Sequence, residues 1–235
     1  MAVFSRIQGV KKWIIGIDEV GRGPLAGPVT VAAVALPRPV LSSKYRVSGI
    51  RKGKKRTIHL RDSKKLSPEQ REVWFRWVKE KKIPYATASV SPRVIDRINI
   101  TQAANLAATR AFQKLITNYR LPITKTKVFL DGGLFLRKSN PPAGGQSSNV
   151  KNRYREPEIV KTIIKGDEKI PAVSLASIAA KVTRDKRMIQ LHKKYPRYKF
   201  HIHKGYGTKA HIAALVKYGP SEIHRLTFIR KFGTM

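Results

Sequence analysis

Two adjacent carboxylates, Asp18 and Glu19, offer the clearest chemistry in this sequence, because they follow the apolar run 14–17 and precede a glycine-rich turn at 21–28. Side by side next to a buried strand, two carboxylates repel each other unless positive charge compensates them. Mg²⁺ and Mn²⁺ prefer hard oxygen ligands of this kind. The pair therefore predicts a site for a divalent cation.

Two further runs with strand character lead to acids. Residues 127–130 end at Asp131, and residues 159–164 lead to Asp167. Open α/β sheets build their sites where strand ends meet, so these acids can converge. Two divalent cations roughly 3.5–4 Å apart would neutralise the carboxylates, clamp a scissile phosphate and activate the attacking water. Ion pairs with some of the 49 Lys and Arg residues are the alternative for each acid taken alone.

Strand and helix patterns alternate around these acids. Ser67 and Pro68 are typical of a helix N-cap and first helical position. Apolar or small residues at helical spacing predict the other helices, and short apolar runs predict strands. The predicted helices are 68 to about 82, 98–119, 172 to about 194 and 209–218, and the predicted further strands are 29–36 and 85–90. The sequence therefore predicts an α/β fold with a central mixed sheet flanked by helices.

The excess of positive charge indicates the partner. The chain has 49 Lys and Arg against 14 Asp and Glu, a formal net charge of +35, and a field of that sign attracts polyanions. Nucleic acid is the leading partner. An anionic membrane surface is the other reading, but no run reaches the ~20 apolar residues of a spanning helix, and no N-terminal signal pattern precedes the first strand. We therefore expect a cytoplasmic protein without a membrane partner.

Length and cysteine content limit the domain organisation and the kinds of functional site that the chain can have. The chain suits a single domain over residues 1–235, with a short lead at 1–12 and a helical C-terminal part at about 186–235. It contains no cysteine, which excludes disulfides, thiol catalysis and cysteine-ligated zinc or iron–sulfur sites. Any metal must be bound by oxygen or imidazole.

Two basic segments predict enlarged surface loops. Residues 42–58, with their densest part from Lys44 to Arg56, contain seven basic residues and no acid. Residues 137–155 contain five basic residues and no acid. We interpret both segments as solvated loops that attract nucleic-acid backbones regardless of sequence.

Six motifs, in this order along the chain, resemble those of the ribonuclease HII family, the type 2 ribonucleases H. They cover roughly residues 10 to 230, and the ordered set is specific although each motif alone is weak. The motifs are 16–28 (GIDEVGRGPLAGP), 62–66 (DSKKL), 130–132 (LDG), 165–167 (KGD), 174–185 (SLASIAAKVTRD) and 203–208 (HKGYGT).

The resemblance implies a ribonuclease H-like fold, a five-stranded mixed sheet with helices on both sides. It also implies an endonuclease that cuts the RNA strand of RNA–DNA hybrids and cuts 5′ to single ribonucleotides in duplex DNA, leaving 3′-hydroxyl and 5′-phosphate ends. Asp18, Glu19, Asp131 and Asp167 match the family's catalytic, metal-binding carboxylates, which would hold two Mg²⁺ or Mn²⁺ ions. All four are present, so we expect an active enzyme.

The resemblance also implies residues that recognise the ribonucleotide. Gly21, Arg22 and Gly23 match the turn that grips its 2′-hydroxyl, and glycines allow the close backbone approach that this contact needs. Tyr206 matches a tyrosine that lies against the junction between ribonucleotide and deoxyribonucleotide, where a ring can stack. The structural alternatives are a tight turn with positive φ and a core aromatic residue.

Three more residues match motif positions near the site. Ser63, Lys64 and Lys181 are candidate phosphate contacts, since a lysine acts as a point charge for phosphate. For either lysine, the alternative is an ordinary solvated side chain on a strongly basic surface.

Other polar residues near the motifs are not assigned to catalysis. We interpret Asp185 as an ion-pair partner of Arg184 or Arg187 rather than a metal ligand. One basic segment carries four of the six histidines, whose spacing matches no standard zinc pattern, and we expect them to add positive potential to the nucleic-acid face. These histidines are His192, His201, His203 and His211.

Two rival classes are weighed against this interpretation. Charge alone favours a non-enzymatic nucleic-acid-binding protein, such as a ribosome-associated factor, but strand-end acids oppose phosphate binding unless metals cover them. The type 3 ribonucleases H carry an additional N-terminal domain, whereas only about a dozen residues precede the first strand here, which favours type 2. We expect RNA–DNA hybrids and ribonucleotide-containing DNA duplexes as substrates and a monomer as the active form. Sliding-clamp contact is left open.

Overall fold

The computed structural model describes residues 12–38, 46–51, 54–60, 63–136 and 157–230. The strands are β1 Trp13–Val20, β2 Val29–Pro37, β3 Arg46–Arg51, β4 Lys54–His59, β5 Tyr85–Val90, β6 Thr126–Asp131 and β7 Ile159–Ile163. Five of them form one sheet in the order β5-β2-β1-β6-β7, and β3 and β4 form a separate hairpin.

The central strand β1 has an antiparallel neighbour on one side and a parallel neighbour on the other. It pairs antiparallel with β2 and parallel with β6, and β6 pairs parallel with β7. The predicted mixed sheet is therefore confirmed. Parallel neighbours end at the same edge of a sheet, and the register that pairs Ile17 with Leu130 places Asp18 beside Asp131.

Helices fill most of the remaining described chain. They are α1 Pro68–Glu80, α2 Pro92–Ile98, α3 Ile100–Tyr119, α4 Gly166–Lys169, α5 Pro171–Lys194, α6 Phe200–His203, α7 Lys209–Tyr218 and α8 Leu226–Ile229. Short 3₁₀ turns lie at Ser63–Lys65, Ile123–Lys125 and Pro196–Tyr198. Within the described ranges, none of the helices is long and apolar enough to cross a membrane.

The sheet is covered by helices on both faces. On one face, Ala103 and Ala107 of α3 are buried in a core with Ile15 of β1. On the other, Trp74 of α1 and Leu175 of α5 are buried in a second core. Each face of the sheet thus buries its apolar side chains against helices, the layered arrangement expected of an α/β fold.

Gly16 explains how closely α5 approaches the central strand. A Cβ atom at this position would lie 2.2 Å from both the carbonyl carbon of Ala172 and the amide nitrogen of Val173. Only a residue without a side chain fits between the two backbones. This close packing brings the first turns of α5, with Ser177, next to Asp18.

The starts of α1 and α3 follow from their capping residues. The predicted N-cap Ser67 is confirmed, because its side chain accepts a hydrogen bond from the Gln70 N–H at 3.3 Å. The helix predicted over 98–119 is confirmed as α3, but it starts two residues later, at Ile100, because Asn99 adopts φ +64° and ends α2. Its ψ of 166° lies outside the left-handed helical region, and its side chain accepts a hydrogen bond from the Gln102 N–H at 3.0 Å, so Asn99 is the N-cap of α3.

The basic segment 42–58 contains a hairpin, so its prediction as a loop was wrong. β3 and β4 pair antiparallel with Val47 opposite Ile58. Both side chains are buried in the core that contains Trp74. The many basic residues around these two apolar positions obscured the strand pattern. The second basic segment, 137–155, lies outside the described residues.

A third core joins the C-terminal helices to the turn between β1 and β2. Leu25 of that turn is buried together with Phe200, Leu215 and Ile229. The Leu25 N–H also donates a hydrogen bond to the Gly205 carbonyl at 2.8 Å. The glycine-rich turn is therefore held between the sheet and the C-terminal part of the chain.

Candidate metal centre and nucleic-acid interface

Three carboxylates converge at the end of the parallel strands. One oxygen from each of Asp18, Asp131 and Asp167 lies within 4.8 Å of the other two. Asp18 and Asp131 are on neighbouring strands, as expected. Asp167 was predicted at a strand end, but it lies in the first turn of α4, because β7 ends at Ile163 and Lys165 turns the chain with φ +56°.

Backbone and hydroxyl groups hold α4 against the centre. The Gly166 N–H donates to Oδ1 of Asp131 at 2.8 Å. The Ser174 hydroxyl donates to the backbone carbonyl of Asp167 at 2.5 Å. These bonds fix the position of α4 relative to β6 and α5, and they leave the buried Asp167 carboxylate in the acidic group.

Asp18 is the most deeply buried member of the group. Its side chain is 4% exposed, and its Oδ1 accepts the Glu19 N–H at 2.7 Å. Burial raises the pKa of Asp18 well above its usual range, the charges of Glu19 and Asp131 act in the same direction, and a hydrogen bond with Ser177 opposes them. Ser177 in turn lies 2.8 Å from the Ser63 hydroxyl, oxygen to oxygen. Two serines thus position this carboxylate.

Glu19, the fourth predicted ligand, lies outside the group of three aspartates, although its charge acts on Asp18 and the charge of Asp131 acts on it. One of its oxygens is unsatisfied. Its Oε1 is 3.5 Å from Nη1 of Arg22. Its Oε2 is buried and has no hydrogen-bond partner among the described residues. Burial raises the pKa of Glu19, whereas the Arg22 charge lowers it. A buried carboxylate oxygen without a partner is costly, and a metal ion at this position would satisfy it.

The donor set fits a hard divalent cation. The group offers carboxylate oxygens only, the ligands that Mg²⁺ and Mn²⁺ prefer. Burial and mutual repulsion both disfavour the ionised form of Asp18 and Glu19, and a bound cation would reverse that preference. The residues present therefore fit a metal centre.

The glycine-rich turn and Tyr206 lie side by side. A Cβ atom built on Gly23 would lie 4.0 Å from Cε1 of Tyr206, whose side chain is 41% exposed. Gly21 adopts φ +90°, which glycine tolerates. The Arg22 side chain reaches Thr101 of α3, with Nη2 3.3 Å from Oγ1. Gly23 and Tyr206 are thus exposed side by side and Arg22 is partly exposed, whereas Gly21 is buried against Arg184.

The candidate phosphate contacts differ in environment. Ser63 is buried and bonded to Ser177, and Lys64 is exposed in the same 3₁₀ turn. Lys181 forms an ion pair with Asp185, Nζ to Oδ1 2.8 Å. Asp185 is thus a structural ion-pair residue, but its partner was predicted wrongly. The predicted partner Arg184 instead donates to three backbone carbonyls.

The expectation that four histidines add positive potential is wrong for two of them. His203 and His211 are buried together with His224. Burial lowers the pKa of His203, and it lowers the pKa values of His211 and His224 to about 4. All three are neutral at pH 7. His192 and His201 stack with ring centroids 3.8 Å apart, and burial together with the His201 charge lowers the pKa of His192 as well.

Arg225 is a residue that sequence reasoning missed. Its side chain is fully buried and donates to the carbonyls of Gly21, Arg22 and Gly27. Among 49 basic residues, no pattern in the sequence marks one arginine as buried. Only the fold brings Arg225 beneath the turn.

The mixed sheet flanked by helices is a ribonuclease H-like fold, which solved structures share. The ribonuclease H2 from Pyrococcus horikoshii OT3 is similar with a TM-score of 0.63 and 24% identity, covering 94% of this chain and 96% of that one. Bst-RNase HIII in complex with Mn²⁺ is similar with a TM-score of 0.64 and 19% identity, covering 97% and 70%.

Sequence comparison assigns the family. The family model described as Ribonuclease HII matches residues 15–231. The ribonuclease HII of Caldicellulosiruptor bescii is 40% identical over 222 residues, covering 93% of this chain and 87% of that protein. The ribonuclease HII of Endomicrobium trichonymphae is 43% identical over 215 residues, covering 92% and 84%. The chain belongs to the ribonuclease HII family, and it is a type 2 ribonuclease H, a metal-dependent endonuclease.

Proposed function

We propose that this enzyme hydrolyses the RNA strand of RNA–DNA hybrids and cuts duplex DNA on the 5′ side of single ribonucleotides, leaving 3′-hydroxyl and 5′-phosphate ends. The observation that carries the proposal is the convergence of Asp18, Asp131 and Asp167 in a chain of the ribonuclease HII family. The proposed ligands come from one chain, so we expect a monomer to be active, and we place it in the cytoplasm.

The four acids would hold the divalent ions. Bound Mg²⁺ or Mn²⁺ would supply an activated water and stabilise the charge that develops on the scissile phosphate. Glu19 offers its unpartnered Oε2, and the Gly166 N–H orients the Asp131 carboxylate from outside the centre. Ser63 and Ser177 would keep Asp18 in position while substrate binds. These supports preorganise the centre before the nucleic acid arrives.

The turn at Gly21, Arg22 and Gly23 would identify the ribonucleotide. A protein distinguishes RNA from DNA at one nucleotide through its 2′-hydroxyl, and glycines let backbone groups approach a sugar closely. Tyr206 lies against this turn with 41% of its side chain exposed, so its ring can stack on the neighbouring sugar or base. The same surface would thus read both the hydroxyl and the junction.

Basic residues would bind the flanking phosphates. Lys64 is adjacent to Ser63, which is part of the hydrogen-bond chain to Asp18. Lys181 is one helical turn from Ser177 on α5 and forms an ion pair with Asp185. With a net charge of +35, substrate binding should weaken steeply with salt, by roughly 0.9 in log K per log salt for each phosphate contact.

A defined substrate tests the proposal. A DNA duplex with one ribonucleotide is incubated with the wild type, with Asp18→Asn and with the control Glu72→Gln, each with Mg²⁺, with Mn²⁺ and with EDTA. Glu72 is a suitable control because it is a surface carboxylate paired with Lys186. We expect one metal-dependent cut 5′ to the ribonucleotide by the wild type and the control, and none by Asp18→Asn. A cut that persists in EDTA or in Asp18→Asn would refute the metal mechanism, and no cut by the wild type would refute the substrate.

A further inference from the structure

Two buried arginines hold the carbonyl oxygens of the glycine-rich turn. Arg225 donates Nη2–H to Gly21 O at 2.6 Å, Nη1–H to Arg22 O at 2.8 Å and Nε–H to Gly27 O at 3.1 Å. Arg184 donates Nε–H to the Pro28 carbonyl at 2.9 Å. Both guanidinium groups are fully buried, so these bonds form away from water.

Peptide geometry gives these bonds a direction. In a trans peptide, the C=O of one residue and the N–H of the next point in opposite directions. Because Arg225 binds the carbonyls of Gly21 and Arg22, the N–H groups of Arg22 and Gly23 point away from Arg225. Gly23 is exposed and lies against Tyr206. Two successive N–H groups are thus turned away from the buried guanidinium, and the second belongs to the residue that is exposed beside Tyr206.

Arg184 connects this turn to the segment that carries Tyr206. Its Nη2 donates to the Ala26 carbonyl at 3.2 Å, and its Nη1 donates to the Lys204 carbonyl at 3.0 Å. The same guanidinium lies 5.9 Å from the Tyr206 ring centroid. One buried side chain thus fixes the distance between the turn and the tyrosine.

We propose that Arg225, supported by Arg184, is a positioning residue for ribonucleotide recognition: it holds the turn so that the Arg22 and Gly23 N–H groups face the sugar and phosphate at the cleavage site. This inference rests on the proposed function of the turn. Arg225 itself is buried beneath the turn and does not touch the substrate. A planar guanidinium can bind three carbonyls at once, whereas a lysine ammonium is a single point on a flexible stem.

The variant Arg225→Lys tests the role while retaining the charge. Binding is measured with Ca²⁺ in place of a catalytic metal, on a DNA duplex with one ribonucleotide and on the same duplex made only of DNA. One well-oriented hydrogen bond corresponds to a preference of about 3- to 10-fold, and we expect at least this preference in the wild type. Arg225→Lys should lose most of it, while its affinity for the all-DNA duplex changes less than 3-fold.

Leu115→Ala is the control for general destabilisation, because Leu115 is buried in the core on the α3 face, away from the turn. It should retain the preference. Asp96→Asn is a milder second variant, because the Asp96 carboxylate accepts from the N–H groups of Leu226 and Thr227, next to Arg225. Asp96→Asn should lose part of the preference. If Arg225→Lys does not fold, the result for Asp96→Asn decides whether Arg225 positions the turn.

The outcomes separate the two proposals. A wild type without any preference would refute the reading role of the turn and this inference with it. A wild type with a preference that both Arg225→Lys and Asp96→Asn retain would refute the positioning role alone. If Leu115→Ala loses the preference to the same extent, general destabilisation explains the loss, and the positioning role of Arg225 is refuted as well.

Discussion

His211 and His224 face each other through their Nε2 atoms, 3.1 Å apart and out of contact with water. The Ser221 N–H donates to Nδ1 of His224 at 2.9 Å, so the proton of neutral His224 must be on Nε2. His224 then donates to His211, which carries its own proton on Nδ1 and donates to the Tyr206 carbonyl at 2.9 Å. This series of hydrogen bonds forms only while both imidazoles are neutral.

The first prediction is a loss of stability in mild acid. Burial lowers the pKa values of His211 and His224 to about 4, against 6.5 in an unfolded chain. Above pH 6.5, both histidines are neutral in the folded and in the unfolded state, so their burial costs the folded state no stability. As the pH falls from 6.5 to 5, the unfolded state binds more protons, and we expect a loss of about 2–4 kcal/mol in the free energy of unfolding.

Urea denaturation at pH 7.5, 6 and 5 measures this loss, and His211→Gln isolates its source. The glutamine amide can still donate to the Tyr206 carbonyl but cannot take up a proton. The difference in unfolding free energy between the wild type and His211→Gln should therefore shrink by about half of the predicted loss as the pH falls. A difference that is constant across the pH range would contradict the prediction.

The second prediction concerns the metal-free centre. Burial and the charges of neighbouring acids raise the pKa values of both Asp18 and Glu19. Removing one of these charges therefore relieves both the burial of a charge and the repulsion. In EDTA, Asp18→Asn should unfold with a free energy about 1–3 kcal/mol higher than that of the wild type. Mg²⁺ should raise the Tm of the wild type and leave that of Asp18→Asn nearly unchanged. Calorimetry with and without Mg²⁺ checks both; equal metal-induced shifts in the two proteins would be inconsistent with a site at Asp18.

The third prediction concerns the contact between β1 and α5. Gly16→Ala places a Cβ atom 2.2 Å from the backbone of Ala172 and Val173, which cannot rotate away. We expect a loss of about 3 kcal/mol or more in stability, measured by urea denaturation. Gly132→Ala is the matched control, because Gly132 is exposed, its φ is not positive, and the nearest heavy atom to its Cβ is the Ile164 Cα at 3.9 Å, so we expect a loss of about 0.5 kcal/mol or less. Equal losses in the two variants would mean that the backbones separate easily.

The fourth prediction concerns the tyrosine beside the turn. Tyr206→Ala should reduce cleavage at single ribonucleotides by roughly 5- to 100-fold, which is the range for loss of one stacking contact, and cleavage of long hybrids by less. The ratio of kcat/KM on the two substrates is the measurement. Tyr218→Ala is the control, since Tyr218 is similarly exposed at 42%. Equal losses on both substrates would remove the junction role.

The sequence predicted the parts of the centre that depend on local pattern. Asp18 and Asp131 directly follow apolar strand runs, so their approach followed from parallel pairing. Asp167 was placed at a strand end because the short α4 has too few residues to show helical periodicity. The break at Asn99 was missed because the apolar spacing continues through it and only the backbone angle changes.

Long-range burial could not be predicted in this way. Arg184, Arg225 and His211 resemble the many surface cations in type and in neighbours, yet each is fully buried. Their partners are backbone carbonyls up to 204 residues away along the chain. Because a carbonyl has the same chemistry in every residue, no residue pattern identifies which side chains will bind it.

The distance along the chain between Gly21 and Arg225 bears on when the enzyme acquires activity. Translation produces the turn early and its buried support near the end, after Asp131 and Asp167 have also been made. A nascent polypeptide on the ribosome therefore lacks the buried support of this turn until Arg225 has been made.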